Sequence, residues 1–181
     1  MSGKFLWKRS EAKLEEEYSK EWLEFVYKRE EFEKASFCYN KLDKDKRRQD
    51  LKKVLKESDL LEQLSVIKMM GEGYLFSNSI ELVVDEVVEI AITGHEECVG
   101  MAAIALNHLN MKKWKDKIIQ LVFFYTDKNL NDKDVFHYSW HLLYRLGFKN
   151  ALIEYIDKYK RYMEGEFDED DLQNITNMTE R

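Results

Sequence analysis

Apolar residues along 59–163 recur at intervals of three and four, the spacing that gathers them on one side of a helix. In WKDKIIQLVFFYTDKN the stripe is Trp114, Ile118, Leu121, Val122 and Tyr125. In FKNALIEYIDKYKRYM it is Phe148, Leu152, Tyr155, Ile156 and Tyr159. Glycine or asparagine at Gly71, Gly94, Asn110, Asn129, Gly147 and Gly165 cuts the stretch into helix-sized pieces, and both residue types tolerate the left-handed conformation that ends a helix. Starts are expected where a capping side chain stands three before an acid: Asn78 with Glu81, Thr93 with Glu96, Asn131 with Asp134. Gly100 falls inside a predicted helix and reads as a point of close helix contact.

The pieces resemble one another. A slide of 37 residues lays CVGMAAIALNHLNM over VFHYSWHLLYRLGF, so that Val99 meets Phe136, Ala103 meets Trp140, Leu106 meets Leu143, Leu109 meets Leu146 and Met111 meets Phe148. A slide of 39 brings Ile67 and Met70 onto Leu106 and Leu109. Three helix pairs are predicted, at about 59–92, 95–128 and 132–163. With small residues in GMAAIAL on a first helix and a short Asn or Gly link into the second, the pattern resembles HEAT and armadillo-type repeats. That resemblance implies an all-α chain whose residues 58–165 form a short right-handed α-solenoid of about three helix pairs. The proline and the aspartate–arginine ladder common in HEAT units are missing, so an irregular helical bundle is the alternative.

Residues 1–57 differ. They carry sixteen Lys and Arg against thirteen Asp and Glu, whereas the rest of the chain carries thirteen against twenty-two. Tyr18, Phe25, Phe32 and Tyr39 stand seven apart, with Trp22 and Val26 beside them, and predict a seam along a helix from about 10 to 39. This region is expected to pack on the repeats as a cap, with a coiled-coil dimer as the alternative. Residues 166–181 form an acidic tail, and the whole is expected to be one structural domain.

Composition narrows the class. Proline is absent and glycine scarce, at seven in 181 residues, which excludes a turn-rich β-protein. No apolar run reaches membrane-spanning or signal-peptide length, so a cytoplasmic protein without membrane contact is expected. Cys38 and Cys98 stand alone and are expected to be reduced and buried. The two Asn-x-Thr sequons at Asn174 and Asn177 have no secretory signal to make them meaningful.

Candidate chemistry is thin. His137 and His141 in HYSWH lie one helical turn apart, as zinc ligands do in HExxH. Tyrosine stands where the base would be, no third ligand is evident, and Arg145 lies near. One HEAT-repeat class gathers iron with recurring His-Glu dipeptides, and this chain has a single one, His95-Glu96. Neither a nucleophile elbow, a phosphate loop nor an EF-hand loop is present. No catalytic residue, metal or cofactor is therefore expected. An enzyme with a cryptic metal or acid–base site near His137 and His141 is the rival reading. The eight bases in Lys41–Lys56 are interrupted by Asp43, Asp45 and Asp50 in a chain of net charge −6. That composition argues against nucleic acid and leaves an RNA-contacting adaptor as a further alternative.

The acids of SIELVVDEVVEIAI are more informative. Glu81, Asp85 and Glu89 step four at a time along one face, with Glu86 beside them, and like charges so placed cost a helix about 0.2–0.5 kcal/mol per pair. They are expected to form a strip, extended by Glu96 and Glu97, on the exposed second helix of the first pair, facing a partner protein with a basic surface. The expectation is a non-catalytic protein-binding module. A small, acidic, helical chain also resembles bacterial immunity proteins and antitoxins, which neutralise basic toxins.

Overall fold

The computed structural model describes residues 18–162. Among them every element is helical, with no strand: α1 (Lys20–Asn40), α2 (Lys44–Glu57), α3 (Leu60–Gly71), α4 (Ser77–Ile80), α5 (Val84–Thr93), α6 (Glu96–Leu106), α7 (Met111–Lys128), α8 (Lys133–Arg145), α9 (Lys149–Tyr159) and a closing 3-10 turn, Lys160–Tyr162. The expectations for Gly165, the two sequons, the acidic tail and the helix before residue 18 lie outside the described residues. No described helix is long and apolar enough to cross a membrane.

The chain divides into two compact units after Lys41, not after Glu57. The first described element, α1, starts where the Ser19 hydroxyl accepts the Trp22 N–H at 3.2 Å. Its buried residues include the aliphatic pair Leu23 and Val26, while Tyr18, Trp22, Phe25 and Phe32 are exposed. Tyr18, Trp22, Phe25 and Phe32 of the expected seam thus lie on the outer side of this helix, Tyr39 is half-buried, and the aliphatic pair Leu23 and Val26 is covered.

In the second unit α2 packs with the helices that follow it. Its composition is almost wholly polar, yet Leu51 and Leu55 are each 3% exposed and Arg47 is 7% exposed. Arg47 donates to Asn78 Oδ1 at 3.1 Å and Ser79 Oγ at 2.6 Å, and Arg48 donates to the Leu82 carbonyl at 3.3 Å. These contacts bind α2 to α4 and the start of α5, which is why the boundary falls before it.

Helix α5 is the centre. Val84, Glu86, Val87, Val88, Ile90, Ala91 and Ile92 are all buried, because α2, α6, α7 and α8 surround it. A helix apolar on every side belongs inside. The expectation of an exposed second helix is therefore corrected: Asp85, Glu86 and Glu89 of the strip sit on this largely buried helix, Glu81 just precedes it, and Glu96 and Glu97 belong to α6.

Polar and ring contacts fix the direction of the helices. In a parallel pair the partners keep a constant difference in residue number; in an antiparallel pair they keep a constant sum. From α2 to α4 and α5 the differences are 31 (Arg47–Asn78), 32 (Arg47–Ser79) and 34 (Arg48–Leu82). From α4 and α5 to α7, Glu81–Lys113 is 32 apart and Glu89–Tyr125 is 36. From α7 to α9, the ring contact Phe123–Tyr155 is 32 and Asp127–Tyr159 is 32. Helices α2, α5, α7 and α9 accordingly run parallel, each beside the next.

The other helices fill the opposite side. Helix α3 packs chiefly on α6. At Gly71 a methyl group would lie 2.8 Å from Met101 Cε, which can swing aside, and 3.2 Å from the Met101 carbonyl, which would have to give by a few tenths of an ångström. Gly100 is not the expected point of close helix contact, since nothing lies within 4 Å of where its side chain would start. Helix α8 lies against α5 more extensively than against α6. Among the positions equated by the internal similarity, Ile67, Leu106 and Leu143 are each 0% exposed, whereas Leu109 is buried and its counterpart Leu146 half-buried. Thr126, Ser139 and Tyr155, also 0% exposed, tie α7, α8 and α9 through hydroxyl contacts of 3.0 and 3.2 Å.

The ends of the helices differ in detail from expectation. Asn78 lies inside α4, the His95 ring and not Thr93 caps α6, and Asp132 and not Asn131 caps α8. Asn110 starts α7 instead of ending α6. Of the expected stops within the described residues, only Gly147 takes the left-handed conformation, at φ 70°.

Candidate functional site

The acidic strip is answered from within the chain. Lys113 Nζ lies 2.7 Å from Glu81 Oε2, Lys117 pairs with Asp85, and the Tyr125 hydroxyl donates to Glu89 Oε2 at 3.2 Å. All three partners belong to α7, where Lys113 and Lys117 keep the four-residue step of the acids and Tyr125 stands two turns further on. On the other flank Lys52 and Lys56 of α2 reach Glu86 Oε1 at 2.9 and 3.6 Å. Lys113 holds the Glu81 carboxyl below its ordinary range, while burial first and Glu89 second push the Tyr125 phenol well above its own. The repulsion between the stacked acids is thus relieved by tertiary contacts, and Glu86, 3% exposed, cannot meet a partner without rearrangement. Glu86 is removed from the expected docking set.

Glu96 and Glu97 stand outside this network. Both are exposed in the first turn of α6, where the helix dipole favours an anion. No hydrogen bond or ion pair joins either side chain to a described residue. Close by, the Tyr138 phenol is raised by partial burial, then by the carboxylates of Asp134, Glu96 and Asp132. The first turns of α6 and α8 therefore share one acidic neighbourhood.

The histidine pair is close but sparse. Its ring centroids are 4.4 Å apart, with His141 stacked on Trp140 at 3.7 Å. Among the described residues no group of three or more His, Cys, Asp or Glu could hold a metal ion. Arg145 donates toward the Gly100 carbonyl at 3.5 Å, which ties α8 to α6.

Much of the basic run is also spent internally. Arg47, Arg48, Lys52 and Lys56 bind α4 and α5, and Lys46 pairs with Asp50 at 2.9 Å.

The cysteines separate. Cys98 is fully buried and its thiol is pushed up by burial first and Glu97 second. Cys38 is exposed on α1, which corrects the expectation of two buried thiols. Alkylation of the native protein is expected to modify Cys38 within minutes and Cys98 only after denaturant is added. Mass spectrometry of intact protein reads this directly, and two equivalents modified at equal rates would contradict it.

The exposed aromatic residues of α1 belong to the seam expected to be covered. Phe25 is 57% and Trp22 52% exposed, and their rings stack at 5.6 Å. Two aromatic side chains held together on a helix surface are a ready anchor for another protein.

No protein-family model matches the chain, and neither does any curated protein or solved structure.

Proposed function

We propose that the protein is a non-catalytic protein-binding module. One observation carries this reading: α1 presents Trp22 and Phe25, stacked on each other and more than half exposed, to solvent. Aromatic anchors of this kind dominate binding energy where they insert into an apolar partner surface. The second unit supplies a rigid body, which we read as a short right-handed α-solenoid of HEAT-like helix pairs. Parallel running of α2, α5, α7 and α9 supports that reading, and the packing of α8 on α5 is its departure toward an irregular bundle. The form the acidic composition favours is neutralisation of a basic partner, as by an immunity protein, with Glu96 and Glu97 as the exposed acids.

Affinity capture from the source cells tests the proposal with three proteins: wild type, Trp22→Ala/Phe25→Ala and Glu96→Lys/Glu97→Lys. A partner retained by wild type and lost with the aromatic pair is the expected result. Loss with the acids as well supports the immunity form. A partner held equally by all three contradicts both.

A further inference from the structure

We infer that the acidic segment 164–171 of the chain's own tail straps across the HYSWH face of α8, held by Lys133 and the two histidines, and shields that face from other acidic peptides. The aromatic side of α1 takes no part, and the inference stands without it.

The end of α9 fixes where the tail begins. The Tyr162 ring lies nearly flat on Phe136 of α8, with centroids 5.9 Å apart and planes at 14°. Residues 163–181 accordingly start beside the first half of α8. Of the cations around this exit, Lys158 and Lys160 already pair with Asp127 and Asp157, at 2.9 and 2.7 Å. Helix α8 carries others in a line. Lys133, His137 and His141 follow at four-residue steps, so they stand one above the next along the helix. Lys133 and His137 are exposed and His141 is half-buried. The imidazole rings lie 4.4 Å apart, each with at least one N–H to donate, and Trp140 beneath His141 gives the line an aromatic floor. The acids of the same turn are placed elsewhere: Asp132 caps the helix, and Asp134 stands by Tyr138 on the side of Glu96.

The tail matches this line in charge and in reach. Residues 164–171, EGEFDEDD, hold six acids, no base, and Phe167 among them. An extended chain advances at most about 3.3–3.6 Å per residue, which sets Glu164, Glu166 and Asp168 roughly 7, 14 and 21 Å beyond Tyr162. The line from Lys133 to His141 is about 12 Å long, at 1.5 Å per helical residue. Acids therefore arrive over the cations along its whole length. Single exposed ion pairs are worth little. A tether of a few residues offsets that weakness, because it holds the acids beside the face at high effective concentration.

Two measurements on the full chain test this. Carbodiimide treatment of wild-type protein is expected to join Lys133 to an acid within 164–171, and crosslinks from that segment to other lysines with none to Lys133 overturn the proposal. A fluorescent synthetic peptide of residues 163–181 is then titrated into wild type and into a full chain whose six acids in 164–171 are replaced by asparagine or glutamine. The peptide is expected to bind the neutralised chain at least tenfold more tightly than wild type, where the native tail already covers the face. Adding Lys133→Ala and His137→Ala to the neutralised chain is expected to abolish that binding. Binding to the neutralised chain that is absent or no tighter than to wild type, or that survives the two added changes, overturns the proposal as well. The crosslink is read on wild-type protein, so it decides the matter even if the neutralised chain does not fold.

Discussion

Replacing Lys52 and Lys56 together by alanine is expected to cost about 3–5 kcal/mol of folding stability, far more than replacing the acid they share. The asymmetry comes from burial. The Glu86 side chain is 4% exposed, while those of Lys52 and Lys56 are 46% and 55% exposed. Removing the lysines leaves a carboxylate without a cation in a place water scarcely reaches. Replacing Glu86 by glutamine instead leaves two lysines free to turn into solvent, at a cost of no more than about 1–2 kcal/mol. Either lysine alone is worth less than half of the pair, because the other already lies within reach.

Urea denaturation of the three proteins at pH 7 checks the claim. A glutamine variant as unstable as the double lysine variant would contradict it.

Leu106→Ala is expected to lose about 2–5 kcal/mol, and the same change at Leu61 to fall within about ±0.5 kcal/mol. Leu106 is 0% exposed on α6, whereas Leu61, at the start of α3, is 73% exposed. The internal similarity equates Leu106 with Ile67 and Leu143, which are buried to the same degree, so truncation at those positions should cost similarly. Thermal unfolding of the four variants measures this. A small loss at Leu106 beside large losses at Ile67 and Leu143 would show that the repeat positions are not equivalent in packing.

The legible part of the fold is the part written in local spacing. The stripes on α7 and α9 follow from apolar residues three and four apart, and the shared burial of Ile67, Leu106 and Leu143 from sliding the chain on itself. Of the three expected pairs, α8 and α9 pack on each other, whereas α3 and α5 both pack chiefly on α6. Helix α2 is hidden from such reasoning because three buried side chains in fourteen residues, one of them arginine, make almost no apolar pattern. The caps at His95 and Asp132 stand close to equally suitable candidates, Thr93 and Asn131, and the choice is settled by how the preceding loop enters the helix.

The acidic strip is legible as an electrostatic problem whose solution lies inside the chain and not on a partner. Four acids with no lysine among them do call for cations, and the nearest in sequence are not the ones used. Lys113 and Lys117 stand 32 residues beyond Glu81 and Asp85, a distance close to the 37-residue similarity.

Zero-length carbodiimide crosslinking of the native protein, followed by peptide mapping, tests the parallel series most directly, because it joins only carboxylates and amines already in contact. Amide links are expected from Lys52 to Glu86, Glu81 to Lys113, Asp85 to Lys117 and Asp127 to Lys158, all with residue differences between 31 and 34. Links between the same helices whose residue numbers keep a constant sum, or none between successive members of the series, would contradict it.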